Sequence, residues 1–357
     1  MPSGLIDCAV HPFVVRSDDL RRYLDEPWRE RPMPRAFENR GLYSPPFASH
    51  WPEARGSHDP ALLPGSDPQL VEEQLLKARN TDYVILLPMT RGLIPEARQE
   101  AAVASATNRW LADTWLSLHN HHGRFKGSIR VSPRAPIDAV HEIDRWAGHP
   151  HFVQVAIPQE AHAPYGHEQY FPIWEAAARH GLPVAVAFDG GAGAEYPPTP
   201  VGYPSHFIEV HSLSAFNGVA HLVSLVCEGV FDRLPSLVFV FANGGFDAWA
   251  PILWRLDKDW RSTRYEVPWT TRLPSEYVRD HARFVLTASE GPEDFELMQT
   301  VLDISDAAHV LMYGSHYPFW DFFDSKDAAF AIPETLRHRV LFENASLLYK
   351  LPERDAQ

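Results

Sequence analysis

The chain has 357 residues, with 46 Asp and Glu against 32 Lys and Arg, a formal charge of −14, a hydrophobic fraction of 45% and two cysteines. That apolar content supports a substantial core and excludes general disorder, while the acidic balance argues against a nucleic-acid or anionic-membrane surface, which needs clustered Lys and Arg. Cys8 and Cys227 are too few for a disulfide framework or a Cys-based zinc site, no apolar run approaches a membrane span, and the opening residues lack the basic and apolar regions of a secretory signal, so the expected location is cytoplasmic.

Leu5–Val10 opens the chain as a short apolar strand. Ser66, Asp67 and Pro68 mark a helix start, an N-cap followed by proline in the first turn, and Asp82–Pro88 follows as the second strand. A long helix through Glu96–Leu118 leads to strand three, Phe125–Val131; the helix Ile137–Ala147 leads to strand four, Phe152–Pro158. The helix Ile173–His180, closed by Gly181, leads to strand five, Pro183–Phe188. A helix around Gly218–Phe231 precedes strand six, Leu237–Ala242, and Arg283–Thr287 and His309–Tyr313 complete the set at eight.

Continuous apolar runs suit parallel strands buried on both faces, and eight strand–helix units predict an α/β fold, a distorted (β/α)8 TIM barrel, in one domain over residues 1–357. A doubly wound open sheet would carry a glycine-rich turn after strand one, where this chain reads Asp-Cys-Ala-Val-His-Pro. Two stretches break the rhythm: a Pro-, Arg- and aromatic-rich insertion over about 16–65 after strand one, and a Gly- and Pro-rich one over 189–215 after strand five. Both are expected at the C-terminal face of the barrel, where loops build the pocket.

Function then turns on the strand ends. Strand one delivers Ala9 and His11, strand three Arg130, strand five Ala187 and Asp189, strand six Asn243 and strand eight His316. Each has a structural reading: Asn243 before Gly244-Gly245 suits a turn, and Arg130 suits a buried ion pair as well as an anion site. Convergence on one barrel mouth makes them a candidate site.

Ile6-Asp7-Cys8-Ala9-Val10-His11-Pro12, Gly181-Leu182-Pro183-Val184, Gly229-Val230-Phe231-Asp232-Arg233-Leu234-Pro235, Gly244-Gly245-Phe246, Trp254-Arg255-Leu256-Asp257 and Tyr313-Gly314-Ser315-His316-Tyr317-Pro318-Phe319-Trp320-Asp321 resemble the amidohydrolase-related family. The branch that these motifs resemble holds aminocarboxymuconate semialdehyde decarboxylase and the resorcylate decarboxylases. The resemblance covers nearly the whole chain and implies a (β/α)8 barrel, usually oligomeric, with a divalent metal, typically zinc, at its mouth. It also implies metal ligands at the positions of Ala9, His11, Ala187 and His316, with His or Glu usual at Asn243 and a further His usual at Phe319. Of that set only His11 is retained. Zinc takes three or four N or O donors at about 2.0–2.2 Å, so no metal cofactor is expected. The alternative is zinc or another divalent ion in a site rebuilt from His11, His316 and Asp189, with donors from His206, Glu209 and His211.

Two functions follow. The first is a non-catalytic or auxiliary subunit in a heteromeric complex with an intact, metal-bearing paralogue. The second is a metal-independent or rebuilt-site hydrolase or decarboxylase acting on a small planar organic acid, lactone or amide. There His11 or His316 would serve as base, Asp189 would orient the histidine, and Arg130 and Asn243 would hold a carboxylate or oxyanion. Phe188, Phe319 and Trp320 would line the substrate, their structural reading being barrel-rim packing. No nucleic-acid or membrane partner is expected. The run His119–His122 reads as a solvated helix end on the opposite face, favourable for His⁺ near the negative end of the dipole.

Overall fold

The computed structural model describes residues 4–14, 17–31, 43, 50–55, 63–89, 94, 96–189, 196–288 and 290–354. Eight parallel strands pair in chain order: β1 Ile6–Val10, β2 Tyr83–Leu86, β3 Phe125–Arg130, β4 Phe152–Pro158, β5 Val184–Ala187, β6 Phe239–Phe241, β7 Ala282–Leu286 and β8 Leu311–Tyr313. The order and the helices between strands make the expected (β/α)8 barrel. The seam between β8 and β1 is closed by one buried carboxylate: Asp7 Oδ1 accepts from Ser315 N (2.9 Å) and Ala9 N (3.2 Å). Beside it, His11 N donates to Tyr317 O at 2.8 Å.

Local signals place the helices. Asp67 caps the helix starting at Pro68, accepting from Gln69 N at 2.9 Å. The helix expected over Glu96–Leu118 is Ala97–Trp110 continuing in wider turns to Leu118. Gly181 ends the helix Phe171–Arg179 in the left-handed region, φ +63°, which a side chain would resist. Asp257, within the Trp-Arg-Leu-Asp motif on the helix Phe246–Thr263, accepts from Ser275 N (3.0 Å) and Oγ (2.7 Å) and ties that helix to Pro274–His281.

The barrel interior holds Ile6, Cys8, Ala9, Ile85, Leu87, Ala156, Ala185, Ala187, Val240, Ala242, Val285 and Met312 in one apolar cluster. A larger cluster packs the outward strand faces against the helices. Phe207–Cys227 has the length and mean hydropathy (1.4) of a membrane span. It is two helices broken at Ser214, however, and Val219, Leu222, Leu225 and Val226 are core. Where described, the two insertions meet over the C-terminal side. Tyr43 donates to Pro204 O at 2.6 Å, and His50 bridges to Phe319 while Trp51 N donates to Pro318 O at 2.9 Å. Much of the first insertion, and residues 190–195 of the second, lie outside the described residues.

Candidate active site

The loop after β8 builds one half of the mouth. His316 sits in the left-handed region (φ +58°), a conformation costing a non-glycine residue about 1–2 kcal/mol. The loop then closes on itself, with Phe319 N donating to His316 O (2.9 Å) and Phe323 N to Ser315 O (2.8 Å). That closure brings Asp321 beside the ring: His316 Nδ1 lies 2.8 and 2.9 Å from the two carboxylate oxygens. Burial alone would raise the Asp321 carboxyl, but His316 and His211 beside it outweigh burial and hold it well below the usual carboxylate range. On the far side of the His316 ring, Nε2 is buried and makes no hydrogen bond.

His11, wholly buried, meets His316 edge-on with ring centroids 5.2 Å apart. Phe319 lies 4.7 Å from the His316 ring and 5.2 Å from His11, and Phe188 reaches Phe319 at 6.3 Å. Burial pushes the His11 imidazole well below its ordinary value, and the charge of His316 adds to this. The Leu87 carbonyl and Asp321 pull the other way, the carbonyl without hydrogen-bond geometry: neither ring nitrogen of His11 makes a hydrogen bond. A neutral imidazole has one donor and one acceptor, and leaving both buried and unmade costs about 1–3 kcal/mol each. Such a cost points to a ligand that supplies both partners.

The opposite wall differs from expectation. Arg130 and Asp189 both face inward, but they form a buried ion pair with each other, their side chains 2% and 1% exposed. The Arg130 charge is thus countered by Asp189, and the carboxylate on the His316 ring is Asp321. Asn243 Oδ1 accepts from Phe188 N at 2.9 Å, fixing the turn after β5. Glu160, at the end of β4, was not singled out by its sequence context; burial raises its carboxyl to about 7, with Asp189 adding and Arg130 opposing.

Trp320 packs on Phe207 (6.3 Å) and His211 (5.3 Å). His206 and Glu209 do not join the site: they cap their own helix, Glu209 accepting from His206 N at 2.7 Å. His122 is no solvated cation; it packs edge-on against Phe125, and burial pushes it down to about 4. A separate cleft of about 790 Å³ on the outer flank, with Tyr23, Trp28, Arg98, Arg109 and His141 in its wall, takes in none of the expected site residues.

A family model described as amidohydrolase matches residues 6–351. No curated protein sequence matches the chain. Among solved structures it is similar to 2,6-dihydroxybenzoate decarboxylase from Rhizobium, at 17% identity and TM-score 0.69, over 98% of this chain and 99% of that one. It is similar to an amidohydrolase from Mycobacterium avium subsp. paratuberculosis, at 18% identity and TM-score 0.75, over 99% of both chains. It is also similar to 5-carboxyvanillate decarboxylase from Novosphingobium aromaticivorans, complexed with manganese and 4-hydroxy-3-methoxy-5-nitrobenzoic acid, at 18% identity and TM-score 0.68, over 98% of this chain and 97% of that one.

Proposed function

The chain belongs to the amidohydrolase family, and from that premise we propose that it decarboxylates a small hydroxylated aromatic acid by acid–base chemistry without a resident metal. The observation that carries this reading is the buried His316–Asp321 pair, whose free Nε2 shares a carbon-walled corner with the neutral, unbonded ring of His11. Two structural neighbours are named decarboxylases of hydroxylated benzoates, which supports the substrate class.

The manganese named for one neighbour does not fit the residues here. Manganese is a hard ion that prefers oxygen ligands, whereas the described corner offers two imidazoles beside the Phe319 ring, and the alanines at positions 9 and 187 carry no donor atom. Asp321 is turned to the far side of His316, on Nδ1. Two nitrogens also fall short of the three donors that zinc takes from protein in a catalytic site.

The balanced step needs one proton. His316 Nε2–H protonates the ring carbon that bears the carboxylate, the C–C bond breaks, its electron pair restores the ring, and CO2 leaves; solvent then reprotonates His316. Asp321 stabilises the imidazolium and fixes its tautomer. Neutral His11 accepts from the phenol hydroxyl and so stabilises the positive charge that develops on the ring. The apolar walls favour loss of a charged carboxylate as neutral CO2.

The auxiliary-subunit reading rests only on the lost ligand positions, and the dyad favours catalysis by this chain. The test is CO2 release from a panel of mono- and dihydroxybenzoates after chelator treatment. Turnover should survive chelation, and His316→Asn and Asp321→Asn should each lose about 10²–10⁴-fold with folding intact. Activity abolished by chelator and restored by manganese would overturn the metal-free step. Absence of both turnover and binding across the panel would favour the auxiliary role.

A further inference from the structure

Lys126, the second residue of β3, lies at the end of the barrel away from the mouth. Gly127 pairs with Phe152 and its N–H donates to His151 O at 2.7 Å, so the register of β3 and β4 sets Lys126 beside His151. Lys126 Nζ lies 3.3 Å from His151 Nδ1. The turn before β4 holds that histidine in place: His149 Nδ1 accepts from His151 N at 3.3 Å, and Phe152 N donates to His149 O at 3.2 Å. The chain has five lysines. Lys77, Lys258, Lys326 and Lys350 are exposed, whereas Lys126 is half-buried. Among the described residues no carboxylate offsets its charge, and burial pushes the amine below the ordinary lysine value.

We propose that Lys126 is an acylation site, where the amine paired with His151 takes the acyl group of a small acyl phosphate. A nucleophile within hydrogen-bond reach of a base, the base itself held by a third group, is the arrangement that activates an amine. Burial keeps the His151 imidazole below its ordinary value, with Lys126 and His149 adding, so at neutral pH its ring is free to take a proton. The donor class follows from charge. In a chain of net charge −14, Lys126 Nζ sits 5.7 Å from the Tyr83 ring, and the charges of Arg354 and Arg124 act on the same tyrosine. Facing them are Asp82, which accepts from Leu5 N at 2.8 Å, and Glu72, paired with Lys77 at 2.9 Å. That cationic corner draws an anionic reagent. In the step, the neutral amine attacks the carbonyl carbon, the N–C bond forms, the C–O bond to the phosphate breaks, and inorganic phosphate leaves with its electron pair. The proton shed by nitrogen passes to His151 Nδ1 and then to solvent. The amide formed is uncharged, which removes the cation over Tyr83. None of this depends on the reaction proposed at the other end of the barrel.

The test treats the intact protein with acetyl phosphate at neutral pH and follows each lysine by peptide mass spectrometry. Lys126 should be acetylated faster than any of the four exposed lysines, which act as internal controls in the same digest. His151→Phe should slow labelling of Lys126 by about tenfold or more, with the other four rates and the thermal unfolding close to the parent. A neutral acetyl thioester should favour Lys126 less than acetyl phosphate does; the reverse order would overturn the anionic donor. In the parent protein, which needs no variant to fold, Lys126 labelled no faster than the exposed lysines would overturn the proposal. An unchanged Lys126 rate in His151→Phe would overturn it equally.

Discussion

Replacing Asp189 by asparagine leaves the Arg130 guanidinium charged, buried and without its ion-pair partner. Both side chains are almost fully enclosed, at 2% and 1% exposure, so solvent screening softens the loss very little. Breaking one partner of such a pair costs about 3–5 kcal/mol, whereas replacing both by apolar residues of similar volume is often near neutral. For 357 residues, an unfolding entropy of roughly 2.1 cal/mol/K per residue gives about 0.75 kcal/mol/K. Asp189→Asn should therefore lower Tm by about 4–7 °C, as should Arg130→Met, while Arg130→Met with Asp189→Leu should recover most of the loss. Calorimetry on the four proteins closes the cycle. Single variants within about 1 °C of the parent, or a double variant losing the sum of both, would refute the buried pair as the reason for these residues.

Asp321 and His11 are both lowered on folding, so each contributes stability that is present above its ordinary value, 3.8 and 6.5, and is lost as pH falls below it. In urea unfolding, His11→Phe should flatten the loss that begins below pH 6.5 relative to the parent; identical slopes would count against a buried neutral His11. Glu160 runs the other way: raised from 4.5 to about 7, it takes away stability as pH climbs through that window. Glu160→Gln should therefore gain on the parent from pH 4.5 to 7, by about 3 kcal/mol at most, and a constant difference across that range would refute the assignment. A methyl at Gly314 would overlap Val285 and Ala9 at the β8–β1 seam; Gly314→Ala should cost about 1–3 kcal/mol in the same assay, and a neutral result would mean that the seam is loosely packed.

All eight strands were legible because each is a short apolar run bounded by turn residues, buried on both faces. Their ends were less so, since pairing rather than hydropathy decides where a strand stops. His309 and Val310, apolar enough in context to read as strand, form a helical turn before β8. The strand ends also placed Arg130 and Asp189 at the barrel mouth, two strands apart. That they reach each other across the intervening β4 depends on strand stagger, which the sequence does not carry. Asp321 carried no periodic signal at all. It reaches His316 through a turn closed by backbone hydrogen bonds over residues 315–323, and no spacing rule anticipates that geometry. His211 was visible only as a loop donor, because the rings that seat its helix come from the loop after β8.

The corner at His11 and His316 obtains two roles from one side-chain type. Both are imidazoles, their rings 5.2 Å apart, and two cations at that spacing in a carbon-walled pocket would repel strongly. One carboxylate breaks the symmetry. Asp321 lies on the Nδ1 side of His316, and burial, with His316 adding to it, pushes the His11 imidazole well below its ordinary value. A pair of titratable groups driven apart by their surroundings is how one pocket holds an acid and a base at the same pH. On the proposed reading, the proton on His316 supplies the electrophile that a divalent ion would otherwise provide, and the Phe319 ring packed on both histidines keeps the surroundings apolar. Asp321→Asn should therefore do more than slow the reaction. By removing the carboxylate on Nδ1 it should leave the His316 ring without its orienting partner, which NMR of the ring nitrogens would read as a change of tautomer.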